Sequence, residues 1–322
     1  MFIDINNDAI RFTGRWDMGS EVATTTAPGG MIEVAFEGTF AVLHFDIERN
    51  EHPYPHIWVS VDDGARVELA IDHVIRVEAC EPGNHTVKII YKSAVEIHHR
   101  WYQPLIGKIT FKGADVEKAG VLPEDNRKII EYIGDSITEG LLVDIFYRFE
   151  KDEYLNRVFQ DDSTATYAYL TAMKLGFKPV IMGYGGVGLT KSGNGSVPNA
   201  NESYLYNFNG SPVAAQNANV VVINHGTNDR SATTEKYLEE YTKLLKTARI
   251  KNPDAKIVVL TPFCGAFDSE LREFVPKFNE ENNENIYLIS SLGWIPAEPL
   301  HPLRDGHRIV SEHLCEELKK IL

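Results

Sequence analysis

Apolar residues recur at two different periods along this chain, and the change falls near residue 120. Before it, short stretches alternate or run apolar at strand length: 31–38, 40–48, 56–63, 66–72, 85–93 and 105–113. Turn-forming groups separate them, among them Pro28-Gly29-Gly30, Asp62-Asp63-Gly64-Ala65 and Glu81-Pro82-Gly83-Asn84. No helical period of convincing length precedes Pro123. Six or more strands at this spacing predict an antiparallel, jelly-roll-like β-sandwich over 1–120. Beyond the polar stretch 118–127, continuous apolar runs (129–134, 179–184, 219–226, 256–263, 286–291) alternate with helix candidates near 163–176, 233–250, 268–282 and 306–321. Such runs predict a parallel sheet covered on both faces, an α/β fold in three layers (α/β/α) over 127–322. The stretch 185–210, rich in Gly, Asn and Ser, is expected to be a loop over a site rather than a linker.

Composition narrows the classes. The 322 residues are 43% apolar, enough for about two domains at roughly 150 residues each. Asp and Glu number 46 against 32 Lys and Arg, a formal net charge of −14. Phosphate backbones and anionic lipid would repel such a chain, so neither a nucleic-acid nor a membrane partner is expected. No apolar run approaches the ~20 residues that span a bilayer. Residues 1–12 alternate polar and apolar and carry acids early, unlike a secretion signal. Cys80, Cys264 and Cys315 lie far apart, which argues against a disulfide framework or a zinc knuckle. A cytoplasmic location is the expectation.

In open α/β sheets the reactive groups gather at the carboxyl ends of strands, and the unusual residues of this chain fall there. The strand 129–134 runs into Gly134-Asp135-Ser136-Ile137-Thr138-Glu139-Gly140. A serine in that position is presented at a helix amino terminus, where backbone N–H groups favour negative charge; Asp135 or Ser136 could equally do no more than cap the helix. The spacing differs from the G-x-S-x-G elbow of the α/β-hydrolases. Asn224-His225-Gly226-Thr227-Asn228-Asp229 follows the third strand; a side-chain amide there can donate to an oxyanion, or close an Asx turn. Last comes Glu298-Pro299-Leu300-His301-Pro302, then Asp305-Gly306-His307. A histidine between apolar and proline neighbours has a fixed backbone, and a carboxylate three residues earlier can set its tautomer. His307 is expected to open the last helix and support the loop from behind. Serine, amide and histidine in one sheet specify acyl transfer.

With these blocks in hand, the sequence resembles the GDSL/SGNH hydrolase superfamily. Gly134-Asp135-Ser136-Ile137 is similar to its nucleophile block, Gly226-Thr227-Asn228-Asp229 to its asparagine block, and His301-Pro302 with Gly306-His307 to its histidine block. The match spans about 127–322. A β-sandwich ahead of that domain resembles carbohydrate esterase family 2, which removes O-acetyl groups from plant polysaccharides; Gly14-Arg15-Trp16 and 101–113 are also similar. The resemblance implies Ser136 as nucleophile, His301 as general base, and an oxyanion hole of the Ser136 N–H, the Asn228 amide and a glycine from 183–188, with Gly186 favoured over Gly188. The superfamily has Asp three residues before its histidine, where this chain has Glu298. Either Glu298 or, as in some family-2 esterases, a backbone carbonyl would orient His301. The substrate implied is an acetylated xylo- or manno-oligosaccharide, and no cofactor or metal is implied. A lipase or short-chain ester hydrolase of the same superfamily is the alternative, and a non-catalytic sugar-binding protein a third.

Trp294 and Tyr184, near the histidine and glycine blocks, are candidates for stacking on sugar; both could instead pack in the core. Trp58 and Trp101 read as core or interdomain packing. Gly183-x-Gly185-x-x-Gly188 formally matches a dinucleotide fingerprint, but 191–198 (KSGNGSVP) cannot sustain the helix that motif needs. His52, His56, His98 and His99 lack the spacing and companions of a metal site.

Overall fold

The computed structural model of the protein describes residues 1–145 and 153–322. Its amino-terminal part holds β1 (Phe2–Asp4), β2 (Ile10–Thr13), β3 (Asp17–Met18), β4 (Ala23–Thr25), β5 (Met31–Phe45), β6 (His56–Val61), β7 (Val67–Ala70), β8 (Val74–Ser93) and β9 (Ile109–Ala119). All nine join one antiparallel hydrogen-bonded network. Two strands are far longer than the pattern predicted. The expected break after residue 38 and the expected turn at 81–84 both lie inside strands, because Gly38 of β5 faces Gly83 of β8 and the register shifts between Gly38 and Phe40. The glycines mark a bend that carries both strands through the sandwich instead of ending them. Alternate side chains such as Val34, Phe36, Ala41 and Leu43 fill its core.

The second part contains β10 (Ile129–Gly134), α1 (Ser136–Glu139), α2 (Glu153–Gln160), α3 (Tyr167–Leu175), β11 (Lys178–Gly183), α4 (Ala200–Ser203), β12 (Tyr206–Phe208), β13 (Ser211–Pro212), β14 (Val220–Asn224), α5 (Thr234–Lys251), β15 (Lys256–Leu260), α6 (Asp268–Asn282), β16 (Tyr287–Ile289) and α7 (Arg304–Ile321). Strands β11-β10-β14-β15-β16 form a sheet in that order, every pair parallel. Successive residues of β14 point to opposite layers: Val221 and Ile223 pack with Tyr241 and Leu244 of α5 and Leu271 of α6, while Val220 and Val222 pack with Ala168 of α3 and Val310 of α7. Both faces are therefore dry, as the unbroken apolar runs required. The chain leaves β10 for β11 on one side and returns to β14 on the other, so the topological switch lies at the carboxyl end of β10. Ser136 is two residues past that end. Within 185–210 the structure adds α4 and β12 to the expected loop. No helix among the described residues is long and apolar enough to cross a membrane.

The two parts are joined by buried polar contacts. Arg15, from the Gly14-Arg15-Trp16 segment, donates to the carbonyls of Ser203, Tyr204 and Tyr206 at 2.7–3.2 Å. Lys92 and Ser93 at the end of β8 both donate to the Val158 carbonyl of α2, at 2.6 and 2.8 Å. Trp58 donates its indole N–H to Asp162 at 3.1 Å. Trp101 is buried with the hydrolase-side core, its ring edge-on to Tyr206.

Candidate active site

A tight turn sets the serine. Gly134 ends β10, and a Cβ there would lie 2.0 Å from Thr138 Oγ1, so only glycine lets α1 fold back this closely. Asp135 is the N-cap, its side chain accepting the Ile137 N–H at 3.0 Å. The capping role and the presentation of Ser136 thus coexist: Asp135 takes the cap, and Ser136 stands at the first helical position with its own N–H bound to no acceptor among the described residues. Burial pushes the Asp135 carboxyl up to about 7, with the nearby Asp229 adding to the rise and the Ile137 N–H opposing it.

His301 reaches the serine from a segment without regular structure between β16 and α7. Its Nε2 lies 2.8 Å from Ser136 Oγ, a hydrogen bond across 165 residues of sequence. The segment is fastened from its far side, where the Arg304 N–H donates to the Val143 carbonyl at 2.8 Å. Burial lowers the His301 pKa below its ordinary 6.5; Arg157 lowers it further, and Glu96 opposes. Those two charges form an ion pair of 2.9 Å between α2 and the segment following β8. His307 is buried on α7, and its Nδ1 accepts the Tyr167 N–H at 3.1 Å, which makes it a support behind the site.

Asn228 sits between the serine turn and the glycine loop. Its Nδ2 donates to the Val187 carbonyl at 3.0 Å and lies 3.3 Å from Asp135 Oδ2. One amide thus touches the residue before Ser136 and the residue after Gly186. Of the loop glycines, Gly188 already donates to the Lys191 carbonyl. The Gly186 N–H meets no acceptor among the described residues, and its φ of 73° is the left-handed conformation glycine favours. Asp229, buried beneath, accepts the N–H groups of Leu189 and Thr190 and the Thr190 hydroxyl at 2.7–3.0 Å, holding the loop to the asparagine block.

Two of the remaining candidates, Glu298 and Tyr184, do not take up the roles considered for them, while Trp294 stays partly open. Glu298 is exposed and makes no hydrogen bond to His301, so in this structure it does not set the imidazole's orientation. Tyr184 is 0% exposed, its hydroxyl 3.1 Å from Thr26 Oγ1 and its ring beside Arg100; enclosed in the interface, it has no face to offer a sugar. Trp294 keeps partial exposure, with its ring stacked on His313 of α7 at 5.2 Å. Conversely, the sequence pattern gave no notice of Glu96, Arg157 or the buried Arg100–Glu139 ion pair. Glu96, Arg100 and Arg157 are single charges in local contexts that read as solvated surface, and Glu139 lies in the serine block with nothing local to name its partner. Among the described residues, no group of three or more His, Cys, Asp or Glu could hold a metal ion.

This arrangement matches known proteins along its length. The model of the GDSL-like Lipase/Acylhydrolase family matches residues 132–309, more than half the chain. An acetylxylan esterase / glucomannan deacetylase of Cellvibrio japonicus is 26% identical over 256 residues, covering 74% of this chain and 68% of that protein. The cellulase/esterase CelE of Acetivibrio thermocellus is also 26% identical, over 99% of this chain but only 40% of its own length. The solved structure of a family two carbohydrate esterase from Cellvibrio japonicus superposes with a TM-score of 0.81 at 22% identity, covering 100% of this chain and 97% of the other. The chain belongs to the GDSL-like lipase/acylhydrolase family of hydrolases, on a two-part fold shared with a family two carbohydrate esterase.

Proposed function

We propose that the protein is a serine esterase that removes O-acetyl groups from carbohydrates, with acetylated xylo- or manno-oligosaccharides as substrates. The observation that carries the reading is the 2.8 Å hydrogen bond from Ser136 Oγ to His301 Nε2, beside N–H donors left without partners. The 26% identical acetylxylan esterase / glucomannan deacetylase supports the choice of ester. In this mechanism His301 takes the Ser136 proton as Oγ attacks the acetyl carbonyl. The oxyanion is held by the N–H groups of Ser136 and Gly186 and by the Asn228 amide. The C–O bond to the sugar then breaks, the alkoxide leaves with the proton from His301, and water clears the acetyl-enzyme by the same route. Low burial of Glu298 favours a main-chain carbonyl as the group behind Nδ1. All three cysteines are free, which fits a reducing compartment and a cytoplasmic site of action.

Acetate release from acetylated xylo- and manno-oligosaccharides tests the proposal, together with a profile of acyl chain length. Release by the wild type and none by Ser136→Ala is the expected result. Turnover that climbs with acyl length, or survives in Ser136→Ala, overturns it.

A further inference from the structure

Next to Asn228 lies an open cavity of about 380 Å³ lined by Lys191, Thr227, Asn228, Arg230 and Ser231. Two of its five residues are cations and none is an acid, on a chain whose net charge is −14. Lys191 and Arg230 are exposed, and neither forms an ion pair among the described residues. Other cations of this protein are commonly neutralised: Lys236 and Lys243 each contact two glutamates, and Arg157 contacts two acids. The side chain of Arg230 and the backbone of Lys191 are also held in place. Arg230 donates Nε to the Thr227 carbonyl at 2.9 Å, which leaves the outer edge of its guanidinium open. Lys191 follows the two residues that Asp229 grips, and its carbonyl takes the Gly188 N–H at 3.1 Å. The cavity therefore shares Asn228 with the serine site, since the same residue's amide lies 3.3 Å from Asp135 Oδ2, next to Ser136.

We propose that this cavity is a subsite for a carboxylate carried by the substrate, so that the preferred ester is an acetylated oligosaccharide bearing a uronic acid beside the acetylated residue. The inference rests on the esterase reading above and narrows its substrate class. A guanidinium edge matches a carboxylate in plane with two parallel hydrogen bonds, and an adjacent ammonium adds a second charge without competing for that geometry. A methyl group gains nothing from so polar a cavity, so the acetyl methyl is not its occupant. The long-range field of an acidic protein repels anions; a local pair of cations beside the reacting centre restores selectivity for one anion in one place.

The test separates the subsite from the chemistry. Calorimetry on the Ser136→Ala protein compares an acetylated xylo-oligosaccharide bearing one glucuronic acid with the same compound after its carboxyl is reduced to the alcohol. The acid should bind about tenfold more tightly at low salt, and the gap should close at high salt or with Lys191→Gln and Arg230→Gln combined. Equal affinities, or a preference that the double variant keeps, overturn the subsite. Acetate release from both compounds by the wild type reads the esterase separately: none from either compound would sink that reading, while the binding comparison still decides the cavity's role.

Discussion

His301 carries the central proton at residue scale, and its surroundings give its titration a sign. Burial and Arg157 both disfavour the imidazolium, while Glu96 favours it. The neutral base therefore persists to lower pH than in a free histidine, and the acid limb of kcat/KM should have its midpoint below pH 6.5. Glu96→Gln removes the one charge that raises the pKa, so the limb should move lower still; an unmoved limb would show that Glu96 is too well screened to matter. Removing the Asn228 amide is expected to cost on the order of 10²–10³ in kcat if it serves the oxyanion. Glu298→Ala should keep kcat within about twofold, since an exposed carboxylate without a bond to the base gives little orientation; a tenfold loss would return it to the site. Ser136, Asn228 and His301 stood out in the sequence because each lies in a short block with its own local geometry. Glu96 and Arg157 did not, because the contact that matters joins positions 61 residues apart and leaves no local trace.

Among the elements, periodicity was readable wherever burial was complete and misleading where a strand bends. Helix α6 occupies the predicted span, and α5 and α7 begin within two residues of theirs, because an amphipathic stripe against a parallel sheet is set by the sequence alone. Helices α1 and α4, four residues each, are too short to carry a period, and they form because caps and tertiary contacts hold them. Strands β5 and β8 run through glycines that looked like stops, since a glycine pair facing across two strands allows a bend as readily as a turn. The same reasoning separates two glycines experimentally. At Gly134 an added methyl meets Thr138 Oγ1 at 2.0 Å, so Gly134→Ala should lower stability by about 1–3 kcal/mol and reduce turnover sharply as α1 shifts Ser136 from His301. At Gly176, which caps α3 with φ of 71°, nothing lies within 4 Å of an added methyl. Gly176→Ala should cost about 1 kcal/mol of left-handed strain and leave kcat alone. Equal effects of the two on turnover would count against the tight turn as the device that aims the serine.

Across the whole molecule, the sandwich is part of the support for the site, and one ion pair makes the case. Arg100 follows β8, Glu139 ends α1, and both are enclosed, at 0% and 3% exposure. Burial pushes the Glu139 carboxyl up, while Arg100 and the Gly185 N–H favour its charged form. The same carboxylate thus answers to the sandwich and to the glycine next to Gly186. Taking one partner away leaves a charge in a dry interface, at a cost of about 3–5 kcal/mol, whereas replacing both with apolar residues of similar volume is often neutral. Arg100→Met should therefore lower stability strongly in denaturant titration, and Arg100→Met with Glu139→Leu should recover most of the loss. Turnover should part from stability in that pair: the double variant regains its fold but not its full kcat, because the glycine loop has lost the carboxylate behind Gly185. If the double variant were as active as the wild type, the ion pair would be a weld between the two halves and nothing more. A kcat deficit at restored stability would instead make the sandwich a contributor to how the oxyanion donor is held, which is the reason one fold would keep both parts together.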